Sequence, residues 1–110
     1  MRESPQYDRY RHDATVLAEV GRRLEPQVNR LPVRIPSDLA AAAVAAWERS
    51  EYDEISDESH EQQRVRDQAG ALALIGLAVS ERGVTAGREV LVDLNVTEVA
   101  AALSAALETH

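Results

Sequence analysis

Tyr10, Ala14, Leu17, Gly21, Leu24, Val28 and Leu31 recur along the chain at alternating spacings of four and three residues. That period places all seven on one side of an α-helix, whereas in a strand they would scatter over both faces. Val65, Ala69, Leu72, Gly76 and Val79 repeat the pattern further on. Both seams contain Ala and Gly, so helices built on them can approach a neighbour closely. A chain of 110 residues with 18 Ala is therefore expected to form tightly packed helices in one domain, residues 1–110.

Local signals divide the helices. Ser4 followed by Pro5 makes a cap and first-turn pair. Pro26 interrupts the first seam, because its ring clashes with the preceding turn. The first helix is thus placed at 5–25, allowing for fraying over residues 1–12 and a short turn from Pro26 to Leu31. Its heptad-like spacing suits a coiled coil between chains or a helix of an intramolecular bundle, and the proline favours the bundle. Residues 31–36, LPVRIP, hold two prolines and read as an extended connector.

Ser37 caps a second helix over 38–50, with Asp38 in its first turn complementing the helix dipole. Leu39, Ala43, Ala46 and Trp47 share one of its faces, and Trp47 reads as a core or boundary anchor. A third helix spans 57–82: Ser59 and Gln62 form a capping box, Ser56 is an earlier candidate cap, and Gly83 supplies the stop. Its second half is apolar nearly all round and should be the buried central element, with Gly70 and Gly76 marking tight packing. The last helix, 96–108, has Asn95 and Glu98 as a capping box, and Leu94 and Val99 as a hydrophobic staple. Val99, Leu103, Ala106 and Leu107 are its expected buried face.

Residues 86–94 are ambiguous between a short helix and a strand. Val90, Val92 and Leu94 alternate as in a strand, but a strand here would need a partner from another subunit. A short helix from about Ala86 is therefore favoured. The fold class that results is all-α, a compact bundle of about four helices.

Composition removes several chemistries. Without Cys there are no thiol nucleophiles, redox pairs or Cys-ligated metals, and without Lys there is no Schiff base or P-loop lysine. Serines lack a GxSxG context, and no Gly-rich phosphate loop occurs. The longest apolar stretch, Ala69 to Val79, is too short to span a bilayer, and residues 1–13 have no apolar core of a signal peptide. The expected location is the cytoplasm, and Arg use without Lys suggests a GC-rich bacterial genome.

Charge is segregated. Residues 1–34 hold seven Arg against five acids, residues 35–63 one Arg against eight, and residues 64–110 four Arg against six. The whole net charge of −7 thus equals that of the middle third alone. That pole repels nucleic-acid phosphates, and the last helix has no Arg, Lys, Gln or Asn to reach base edges, so no nucleic-acid partner is expected. Glu54, Asp57, Glu58, His60 and Glu61 fall within eight residues and are the candidate metal ligands. Asp57 and His60 give one carboxylate-x-x-His pair, where a di-metal bundle needs two Glu-x-x-His motifs and two further Glu. His12 with Asp8, one turn apart, could add a distant second pair. The acid patterns by which all-α nucleotide pyrophosphohydrolases hold Mg²⁺ are only half met by Asp57, Glu58 and Glu61.

The expected function is protein–protein interaction without catalysis or cofactor, with a homodimer, basic first helix against acidic middle third, as the leading arrangement. The alternative is a metal-dependent enzyme that uses a divalent ion at residues 54–61.

Overall fold

The computed structural model describes residues 5–27, 32–49 and 58–108. Its elements are α1 (Pro5–Leu24), a 3-10 turn (Glu25–Gln27), β1 (Val33–Pro36), α2 (Ser37–Arg49), α3 (His60–Arg82), β2 (Val84–Ala86), β3 (Glu89–Val92) and α4 (Val96–Glu108). Four helices stand where the seams and caps put them. The capping box at α3 is complete, with Gln62 N–H donating to Ser59 Oγ (3.1 Å) and Ser59 N–H to Gln62 Oε1 (3.0 Å). At α4 Glu98 N–H donates to Asn95 Oδ1 at 2.8 Å, and Asn95 N–H reaches back to Glu98 Oε2 at 3.3 Å.

The all-α expectation needs correction, because a three-stranded antiparallel sheet of order β1-β3-β2 accompanies the helices. Residues 89–92 form its central strand, not a short helix, and both partners come from the same chain. Gly87, with φ of +67°, makes the two-residue turn to β3. On the other side lies β1, the segment expected to be a bare connector. Its prolines misled: Pro32 precedes the strand and Pro36 ends it on an edge, where proline's missing N–H does least harm. Val33 pairs with Val92 and Ile35 with Val90, and all four are buried on one face. The outer edge of β1 is covered by a side chain. Gln27 Oε1 accepts from Arg34 N–H (2.8 Å), and Gln27 Nε2 donates to Arg34 C=O (3.0 Å), so the amide pairs as a strand would.

α1 packs on the other three helices, and α3 likewise. Leu17, Val20 and Leu24 of α1, Leu72 and Ile75 of α3, and the four inward strand residues belong to one core cluster. The first seam is therefore spent inside the chain: Tyr10, Leu17, Gly21 and Leu24 are buried, while Val28 and Leu31 lie outside the described residues. Two backbone contacts set the helix spacing. A Cβ added at Gly21 would lie 2.0 Å from the Ala102 carbonyl oxygen of α4, and one at Gly76 equally close to that of Ala43 of α2.

This proximity revises two predicted faces. The residues buried on α4 are Ala102, Ala105 and Ala106; Val99 and Leu103 are half-buried, and Leu107 is exposed. On α2, Ala40, Ala43 and Ala46 are buried, with Leu39 and Trp47 half-buried at the flanks. Backbones this near leave room for methyl groups alone, so longer side chains move aside. Gly70 departs from expectation too, since nothing lies within 4 Å of an added Cβ.

The two helical glycines should therefore respond oppositely to substitution. Gly76→Ala is expected to lower stability by about 1–3 kcal/mol through overpacking against backbone. Gly70→Ala should raise it by up to about 1 kcal/mol, the difference in helix propensity. Urea denaturation of the two variants measures both; equal signs would contradict the packing described.

Candidate functional site

Glu58 immediately precedes the cap of α3 and is bonded to side chains of both α1 and α3. Arg66, two turns along α3, donates its Nε–H to both Glu58 oxygens, at 2.9 and 3.1 Å. Tyr7, from the first turns of α1, donates its hydroxyl to Oε2 at 2.5 Å. The carboxylate is only 8% exposed. Tyr7 meets Tyr10 edge to face at 5.7 Å between ring centroids, and both rings pack with Val65 and Ala69 into a small apolar cluster. The site is thus a shielded ion pair with a phenol as its third member.

These contacts shift the titrating groups. Hydrogen bonds from Arg66 and then Tyr7 hold Glu58 below the usual carboxylate range. Burial, followed by the bond to Glu58, pushes the Tyr7 phenol up to about 12. Arg66 is raised in turn by its bond to the carboxylate.

The neighbouring charges are paired as well. Arg11 of α1 meets Glu61 at 3.1 Å, and Arg49 of α2 meets Asp13 at 2.9 Å, with the Asp13 side chain 5% exposed. The complementarity between the first helix and the middle third, expected between two chains, is met in part within one.

Of the five candidate ligands, Glu54 and Asp57 lie outside the described residues. Glu58 and Glu61 are each bound to an arginine, and His60 is exposed at the start of α3. Asp8 and His12 are both exposed on α1. Among the described residues no three His, Asp or Glu side chains come together as a metal site. Tyr7, Tyr10 and Asp13 were not legible as members of this cluster. Tyr7 and Glu58 are 51 positions apart, and no local spacing announces their contact.

Open clefts lie elsewhere. One of about 430 Å³ runs between α2 and the sheet, lined by Ala41, Val44, Ala45, Val79 and Val90 with Glu48 at its side. Another of about 230 Å³ separates α3 from α4 and is more polar, with Arg64, Asp67, Gln68 and Ser104. No helix among the described residues is long and apolar enough to cross a membrane. No protein-family model, curated protein or solved structure matches the chain.

The cluster predicts a two-sided pH dependence. Glu58, whose folded pKa is lowered, contributes stability that is present above its ordinary value near 4.5 and is lost as pH falls below it. Tyr7, whose folded pKa is raised, contributes stability fully present below pH 10.0 and lost as pH rises through about 12. Denaturation across this range should show an alkaline loss that is smaller in Tyr7→Phe. An unchanged alkaline limb in that variant would mean that the phenol does not sense its surroundings as described.

Proposed function

We propose that this chain is a small non-catalytic protein of a bacterial cytoplasm that acts through protein–protein contact and forms a homodimer. The observation that carries this reading is the exposure of large apolar side chains: Leu74 on α3, Val84 on β2, and Val96 and Leu107 on α4. Single exposed hydrophobics are ordinary, but two on one 13-residue helix begin a patch of the kind that marks contact surfaces. A core closed without any disulfide is in keeping with a reducing compartment. Because Arg11, Asp13, Arg49 and Glu61 are paired within the chain, the proposed dimer rests on apolar contact more than on opposed charge.

Sedimentation equilibrium checks this reading. Association is expected in the micromolar range and should persist at high salt, which screens charges but spares apolar contact. A monomer at every concentration up to about 1 mM, where binding would be worth no more than about 4 kcal/mol, would sink it.

The metal-dependent alternative draws on Glu54 and Asp57, outside the described residues, and on Glu58 and Glu61, whose carboxylates are bonded to arginines. Under the proposed reading, Mg²⁺, Mn²⁺ or Zn²⁺ leaves Tm unchanged. A Tm that climbs with metal concentration, as a ligand of the native state requires, would favour the enzyme instead.

A further inference from the structure

The two edges of the sheet are finished differently. On β1 the backbone N–H and C=O of Arg34 point outward, and the Gln27 amide takes both, at 2.8 and 3.0 Å. On β2 the equivalent residue is Thr85. The two-residue turn makes Ala86 and Glu89 a hydrogen-bonded pair, so Thr85, opposite Val90, turns its N–H and C=O away from β3. Thr85 is exposed, and among the described residues no side chain covers these two groups as Gln27 covers those of Arg34. The open cleft between α2 and the sheet lies against the same residue, on the face where Val90 is buried. Glu48 is the one charged group among the described residues that line it, and it has no ion-pair partner among them.

We infer that β2 receives an extended cationic segment of a partner protein as a fourth, antiparallel strand, with an apolar side chain in the cleft and an Arg or Lys two residues later beside Glu48. This binding rests on the protein–protein contact proposed above and not on the homodimer. The chemistry of the surface selects that occupant. A single residue with both backbone groups turned outward suits an antiparallel strand, in which one facing residue exchanges both hydrogen bonds; a parallel strand would divide them between two residues. Facing residues share one side of a sheet, so the residue opposite Thr85 directs its side chain to the cleft, whose volume of about 430 Å³ admits Val, Leu or Ile. The order of the two side chains follows from α2. Ser37 N–H donates to Arg88 C=O at 2.9 Å, so α2 starts at the turn and Glu48 stands about three helical turns further on. An antiparallel strand runs from the turn outward, so its basic residue follows the apolar one; in the reverse order it would sit nearer the exposed Arg88. Glu48 and the net charge of −7 over the whole chain both attract a cationic segment.

The test is an NMR titration of the isotope-labelled full chain with the blocked peptide acetyl-Ser-Thr-Val-Thr-Arg-Thr-Ser-amide. The Thr85 amide and the signals of Val44 and Val79 should shift and approach saturation by about 1 mM peptide. Methylating the Val nitrogen of the peptide, or Thr85→Pro, should weaken binding at least about fivefold, since each removes a hydrogen bond across the edge. The N-methyl peptide decides the matter even where the proline variant fails to fold. Glu48→Gln, and the peptide with Val and Arg exchanged, should each give binding about two- to threefold weaker, a gap that closes at high salt. No shift at Thr85 up to about 1 mM peptide overturns the site, and so does equal binding of the N-methyl peptide. Equal binding of the exchanged peptide overturns the antiparallel order. Thr85 shifts that track protein concentration without peptide put a second copy on the edge and overturn the choice of partner. A monomer that takes up the peptide removes the dimer and keeps the edge, and a dimer that ignores the peptide does the reverse.

Discussion

The near contact of helix backbones governs this molecule. At Gly21 and Gly76 a single extra carbon would stand 2.0 Å from a carbonyl oxygen of the facing helix. Once α1 and α4, and α2 and α3, lie that close, the residues between them must be small. Ala40, Ala43 and Ala46 on one side, and Ala102, Ala105 and Ala106 on the other, meet that demand. Thin helix interfaces bury little apolar area per residue, so the bulk of the hydrophobic stabilisation has to come from elsewhere. Leu17, Leu24, Ile35, Leu72 and Ile75, all essentially inaccessible, belong to one core cluster to which the inward strand residues also contribute. The sheet thus supplies apolar volume that an Ala-lined bundle lacks.

Much of this was legible in the sequence, and the part that was not has a clear physical origin. Helix ends follow from side chains within three residues of each other, as Ser59 with Gln62 and Asn95 with Glu98 show. The 4–3 spacing identified the inward positions of α1 and α3 for the same local reason. Strand pairing is different, because Val33 finds Val92 across most of the chain and nothing near either residue announces the other. The prolines around β1 signalled extension but concealed pairing. On α4 the period was right and the phase was wrong: sequence favours the larger apolar residues as core, whereas the contact at Gly21 admits only alanine. The candidate cluster divides likewise. Its acids were visible as a run, but Tyr7 reaches Glu58 from 51 positions earlier in the chain.

Segregated charge along a chain need not mean a polarised surface. Among the described residues, the start of α3 lies beside α1, so that Glu61 meets Arg11, and Arg49 at the end of α2 meets Asp13 of α1. The exposed Arg11–Glu61 pair contributes little by itself. The Glu58–Arg66 pair, shielded by Tyr7 and Tyr10, differs because removing one partner would strand the other in a site with little water. Its role is to fasten the start of α3 to the start of α1, at the end of the fold away from the sheet.

The placement of β1 has a consequence for how the chain is made. During synthesis α1, β1 and α2 emerge first, yet the partner of β1 is β3, and the helix that covers Gly21 is α4. Neither exists until β3 and α4 have left the ribosome. Until they do, the preceding segment carries an unpaired strand and a face of α1 without its partner helix. Completion of the sheet and of the α1–α4 packing therefore waits on contacts between distant residues, the kind that slow folding. Release of an incomplete chain would leave a fragment with its sheet edge and helix faces uncovered, suited to capture by chaperones and proteases and not to any function of its own.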